Sequence, residues 1–180
     1  MTKYPEDREL TKWVSQAQDG DEASLGLIIE SIQKDLFRFC LYLCRDSQQA
    51  EDLCQESLVQ ALQKIHKLKD ASAFKSWLFK SAKNLHLDLI RAQKHRTYEA
   101  LEEASEPIAE TPNPDNLLEI RRSLAELDPE ARAVLILIDS EGFSYTEASK
   151  ILDISESALT SRLYRAREAF LKKFGQGERK

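Results

Sequence analysis

The sequence predicts an all-α protein of two small helical domains, and three observations predict it. Apolar residues recur at intervals of three and four along most of the 180 residues, the spacing of a helix face rather than of a strand. Helix punctuation accompanies them: Asp128 stands before Pro129, Ser144 stands three residues before Glu147, and Gly142 follows a long apolar run. Between the halves, "TYEALEEASEPIAETPNPDN" (97–116) holds three prolines and no basic residue, the composition of an exposed, flexible acidic linker. The expected domains are therefore 1–96 and 117–180, joined by the linker 97–116.

In the first half, a helix from Asp46 carries Ala50, Leu53, Cys54, Leu58, Ala61, Leu62 and Ile65 on one stripe. Its opposite face is polar: Glu51, Asp52, Gln55 and Glu56. The next helix is marked by Phe74, Trp77, Leu78, Ala82, Leu85 and Leu89 and closes on the basic "RAQKHR". In the second half, Asp128 and Pro129 open a helix that Gly142 ends. A capping box at Ser144 and Glu147 then starts a short helix bearing Ala148, Ile151 and Leu152.

The last helix aligns Leu159, Leu163, Ala166 and Phe170 toward that partner. Its outward face is then Ser157, Ser161, Tyr164 and Arg165, flanked by Arg162 and Arg167. Two helices across a tight corner, with hydroxyls, an aromatic ring and an arginine outward, form a helix-turn-helix pattern. Arginine can grip a guanine edge, serine a base or phosphate, and tyrosine a thymine methyl. The bland alternative is a helical hairpin with a solvated basic face.

Net charge is −5, but its distribution says more. Residues 74–96 carry +5 and residues 160–173 carry +4, while 97–119 carry −7. Two basic regions separated by an acidic bridge point to nucleic acid. The stretch "FKSWLFKSAKNLHLDLIRAQKHR" interleaves aromatics with cations, which suits single-stranded DNA. It also suits a core helix with Phe74, Trp77 and Phe79 buried and the lysines in water.

Other classes find little support. The longest aliphatic run, "AVLILI", is far short of a membrane span, and "MTKYPEDREL" lacks a secretory pattern, so a cytoplasmic protein without membrane insertion is expected. Cys40, Cys44 and Cys54 show no CxxC and are expected to be small buried hydrophobes. His66, His86 and His95 have no metal-ligand spacing, no Gly-rich phosphate loop occurs, and "GFSYT" departs from GxSxG at Thr146. No catalytic residue, metal or cofactor is expected.

In order and separation, these pieces resemble an extracytoplasmic-function (ECF) sigma factor, a two-domain bacterial subunit that directs RNA polymerase to promoters. "AQDGDEASL", "QQAEDLCQESLVQAL" and "FKSWLFKSAKNLHLDLIR" look like region two of that family; "LDPEARAVLIL" and "GFSYTEASKILDISESALTSRLYRAREAFL" look like region four. The resemblance implies a non-catalytic initiation subunit whose partners are the core polymerase, through its β′ and β subunits, promoter DNA, and an anti-sigma factor. It implies that Glu51, Asp52, Gln55 and Glu56 face the polymerase. Asp70, Ser72, Phe74, Trp77, Lys80, Lys83, Asn84 and Arg91 would engage the −10 element and its unpaired strand, with Asn84 reading a base. Ser157, Ser161, Arg162, Tyr164 and Arg165 would engage the −35 duplex. Thr160 and Asp153 depart from the basic residue and the glycine common at those places. Two rival readings are a helix-turn-helix regulator with a helical sensor or dimerisation domain, and a helical enzyme.

Overall fold

The computed structural model describes residues 5–44, 46–99 and 115–177. They form eight α-helices in two groups, with no strand among the described residues. The N-terminal group is α1 (Pro5–Gln18), α2 (Glu22–Leu43), α3 (Ser47–Lys64) and α4 (Phe74–Glu99). The C-terminal group is α5 (Asp115–Ala125), α6 (Pro129–Leu135), α7 (Tyr145–Leu152) and α8 (Glu156–Gly177).

Local chemistry fixes most boundaries. Asp21 caps α2 by accepting from the Ala23 amide, and Asp46 caps α3 by accepting from Gln49 at 2.8 Å. Between α3 and α4 the chain makes two short 3-10 turns, and the Gln18 amide ties the first to α1 by donating to the Ile65 and Leu68 carbonyls. Asp128 caps α6 and Pro129 occupies its first turn, as the sequence indicates. The Ser144–Glu147 capping box is also present.

One expectation needs correction. The segment after Pro129 is not one regular helix: α6 stops at Leu135, and Ile136–Ser140 form a π-helical turn closed by the Glu141 amide on the Ile136 carbonyl at 2.8 Å. Gly142, at φ 66°, then ends it. At the margins of the expected linker 97–116, α4 runs through Glu99 and α5 begins at Asp115; the rest of that segment, 100–114, lies outside the described residues.

One apolar core runs through both groups. In the first it gathers Ile28, Leu36 and Phe39 of α2, Leu53 of α3 and Phe74, Leu78 and Phe79 of α4; in the second, Val134, Ile136 and Leu137, Ile151 of α7, and Leu159 and Leu163 of α8. The join is aromatic: Phe79 meets Phe143 edge-on, ring centroids 4.9 Å apart, and Phe39 lies 5.0 Å behind Phe79. Each such buried ring contributes about 1.5–3 kcal/mol, so apolar contact dominates the contact between domains.

A buried cation adds specificity there. Arg132 of α6, 4% exposed, donates to Leu124 and Ala125 at the end of α5, to Leu127 just after it, and to Tyr42 and Leu43 at the end of α2. Helix C-termini leave carbonyls unpaired and carry the negative end of the helix dipole, so one guanidinium serves both ends. Arg38 of α2 adds a two-pronged ion pair to Glu141, at 2.9 and 3.0 Å.

Candidate functional site

Three surfaces collect the residues singled out from the sequence. The first lies between α3 and α4. A groove of about 630 Å³ is lined by Asp52, Leu53, Gln55, Glu56 and Val59 of α3 and by Leu85, Asp88 and Leu89 of α4. The small buried stripe of α3, including Ala50, Ser57 and Ala61, turns its acidic face outward. Glu51, also exposed, accepts a hydrogen bond from Gln55 at 3.4 Å. Val59 and Leu89, each 49% exposed, give the groove an apolar floor that the sequence pattern does not reveal. Periodicity places Leu89 with the core, and its exposure in the groove shows that it lies outside.

The second surface is α4 with the turn before it. Asp70 caps that turn, accepting from the Ser72 amide at 2.9 Å and hydroxyl at 2.7 Å; these bonds, the hydroxyl's foremost, hold its carboxyl below the usual range. At a helical rotation of 100° per residue, Trp77, Lys80, Asn84 and Arg91 share one stripe. Asn84 and Arg91 are exposed and Trp77 is half-buried. Phe74 has no accessible surface and packs against Trp77, centroids 6.2 Å apart, so it belongs to the core and offers no face to a base.

The C-terminal domain lies beside this stripe. Lys80 Nζ contacts the Asp153 carboxylate at 2.5 Å, and Lys75 stands 5.4 Å above the centre of the Phe143 ring. Lys83 is half-buried, and loss of hydration is the chief cause lowering its ammonium pKa.

The third surface is α8. Leu159, Leu163 and Ala166 are buried, while Ser157, Ser161, Tyr164 and Arg165 form the exposed face opposite. Tyr164, 64% exposed, donates to Glu168 at 2.9 Å, which raises its phenol pKa. Arg165 folds back to the Ser161 carbonyl at 3.2 Å. Arg162, by contrast, pairs with Glu130, and Arg167 forms a two-pronged pair with Asp139. Both flanking arginines are tied to α6 and the turn after it.

The corner before α8 is tight. Asp153 ends α7 in the left-handed conformation, φ 57° and ψ 44°, and its amide donates to the Ser149 carbonyl. Ser155 then accepts from the Ala158 amide at 3.2 Å, starting α8.

The cysteines are buried and free, as expected. The fold nevertheless makes one pairing that sequence spacing hides: Cys44 Sγ lies 3.7 Å from His86 Nδ1. Burial, and secondarily the Arg132 charge, lower the His86 pKa. No cluster of metal-ligating side chains occurs among the described residues, and no helix among them is long and apolar enough to cross a membrane.

A helix-turn-helix with an exposed polar face on its last helix is joined to a helical domain with a second basic stripe. The family models give the class: Sigma-70 region 2 matches residues 28–96, and Sigma-70, region 4 matches residues 117–170. ECF RNA polymerase sigma factor SigM of Bacillus subtilis (strain 168) is 32% identical over 157 residues, covering 83% of this chain and 94% of the relative. ECF RNA polymerase sigma factor SigE of Mycolicibacterium smegmatis is 29% identical over 160 residues, 83% of this chain; the match spans 62% of that longer relative. Among solved structures, the sigma factor RpoE in complex with the anti-sigma factor NepR from Bartonella quintana superposes with a TM-score of 0.71 at 26% identity, over 82% of this chain and 94% of that one. The chain belongs to the ECF RNA polymerase sigma factors. Its function is promoter recognition and transcription initiation with RNA polymerase.

Proposed function

We propose a division of that function among the three surfaces, with domains at 1–96 and 117–180 and an acidic linker between them. The α3/α4 groove binds core polymerase: Glu51, Asp52, Gln55 and Glu56 meet a basic surface, and Val59 and Leu89 supply apolar contact. Acidic rims steer association and fix register, while the floor contributes burial. The β′ and β subunits are the proposed contacts.

Asp70 and Ser72 shape the turn that presents α4 to the −10 element. Trp77, Lys80, Lys83, Asn84 and Arg91 then act on the opened strand, Trp77 by stacking, the cations by following the backbone, and Asn84 by hydrogen bonding to a base. Ser157, Ser161, Tyr164 and Arg165 read the −35 duplex from the major groove, with Arg162 at the flank.

The observation that carries this reading is the exposed Ser157, Ser161, Tyr164 and Arg165 stripe of α8, set opposite its buried Leu159, Leu163 and Ala166 stripe. We also propose that the protein is a non-catalytic, cytoplasmic subunit and that an anti-sigma factor regulates it. The complex formed by the structurally similar RpoE supports the last point. Pull-down with purified core polymerase, followed by run-off transcription on genomic fragments, tests the reading. Recovery of core and discrete initiation sites are expected; duplex binding as a symmetric dimer without polymerase would instead favour a conventional regulator.

A further inference from the structure

The contact between α4 and α7 sets two uses of one surface against each other. Lys80 lies on the same stripe as Trp77, Asn84 and Arg91, yet its ammonium is taken by a carboxylate from the opposite domain. We propose that the C-terminal domain is an intramolecular competitor for the nucleic-acid face of α4, with Asp153 a latch that puts a carboxylate where an opened promoter strand would put a phosphate. The proposal rests on the reading of α4 as the surface for the opened strand.

The backbone at Asp153 is the strongest reason to assign it that role. It is the one non-glycine residue with positive φ among those described, in a conformation glycine adopts without steric cost. Aspartate tolerates the left-handed region, but the corner does not use its side chain. The turn closes through backbone: the Asp153 and Ile154 amides both donate to the Ser149 carbonyl. The carboxylate instead crosses 73 residues of sequence to Lys80. A residue that is second choice for its own turn thus makes its side-chain contact at the domain boundary.

Charge and position agree with competition. Lys83, one helical turn from Lys80, is half-buried at the same boundary, and the carboxylates of Asp153 and Glu130 act on it electrostatically. Carboxylate and phosphate oxygens make the same kind of charge-assisted bond with an ammonium, so Asp153 and a strand phosphate compete for Lys80. The latch does not hold the domains together by itself. Phe79 against Phe143, the Arg132 hydrogen bonds and the Arg38–Glu141 pair remain when it opens. It therefore adjusts a closed-to-open ratio that those contacts set. When only the open form binds, apparent affinity is the intrinsic affinity reduced by the open fraction, so any loss at the latch is read directly as tighter binding.

Asp153→Gly separates this role from that of a turn residue, because glycine suits the backbone while removing the carboxylate. Fluorescence anisotropy with the full chain and a labelled, mixed-sequence single-stranded oligonucleotide at low salt is the first readout. Hydrogen exchange of α4 and α7 is the second. An affinity gain of about two- to fivefold is expected, the size appropriate to one exposed ion pair, with faster exchange at the domain boundary. Asp19→Asn, an exposed acid remote from α4 in sequence, controls for net charge; an equal gain there would overturn the proposal. Unchanged exchange in Asp153→Gly would show that no latch exists. Faster exchange without an affinity gain would show that the latch exists but that α4 is not the strand-binding face, overturning the competition through the underlying reading. Lys80→Ala in holoenzyme tests that reading separately: it predicts weaker transcription from a pre-opened promoter, and normal transcription would reject it.

Discussion

The Arg132 guanidinium reaches 89 residues back along the chain to the Leu43 carbonyl, 3.2 Å away, and joins the end of α2 to the end of α5. Backbone carbonyls from both domains accept its hydrogen bonds. Arg132→Ala would leave several of those carbonyls unpaired in a buried place, so a loss of about 3 kcal/mol is expected in urea denaturation. Arg132→Lys should recover little of it, because a three-donor ammonium cannot reproduce the planar fork.

The groove between α3 and α4 predicts a loss of binding without a loss of folding. Asp52→Arg with Glu56→Arg should abolish retention of core polymerase while melting stays near that of the parent, since both acids are exposed. Leu89→Ser should weaken core binding in the same assay with little change in melting, because the side chain is 49% exposed. Wild-type retention of core by either variant would remove the groove from the interface.

On α8, the relevant contrast lies between two arginines. Arg165→Ala should cost about 1–3 kcal/mol of promoter affinity and relax the preference at one base pair of the −35 element, the pattern of a lost base contact. Arg162→Ala should weaken binding more evenly across sequences, because its guanidinium is held at Glu130 to one side of the reading face. Holoenzyme binding to single-substituted promoter fragments measures both.

For α4, Asn84→Ala should impair transcription from duplex promoters. Opening the −10 region beforehand should restore only part of it, because base recognition would remain weakened. Normal transcription from both templates would exclude Asn84 from that role.

The buried histidine makes a pH prediction. His86 has a lowered pKa in the folded state, caused first by burial and then by Arg132. The unfolded chain therefore binds a proton more readily than the folded one. Stability contributed by neutral His86 is complete above the unfolded pKa of about 6.5 and is lost as pH falls toward the folded value. Melting temperature should decline over that interval, and His86→Gln should flatten the decline.

Legibility from sequence followed whether a feature was local. The caps at Asp46, Asp128 and Ser144 and the buried stripe of α8 were readable because each depends on residues within a few positions. The exposed Ser157, Ser161, Tyr164 and Arg165 stripe followed from the same periodicity. Cys44 beside His86, Arg132 on Leu43 and Lys80 on Asp153 join residues 42 to 89 apart, and no spacing rule finds them. Phe74 was ambiguous for another reason: an aromatic beside lysines fits a core and a stacking platform equally until its surface is known, and it has none.

The π-helical turn at Ile136–Ser140 has a consequence for how this segment tolerates length changes. A π turn closes i to i+5 where an α turn closes i to i+4, so it takes up one residue more for nearly the same advance. Removing one residue from it lets the segment close as an α turn with the residues after it kept in phase, whereas adding one turns them by about 100°. An insertion would turn Glu141 from Arg38 and Phe143 from Phe79, two contacts with two different helices. Relatives that share this domain arrangement are therefore expected to accept one residue fewer between Pro129 and Phe143 more readily than one more.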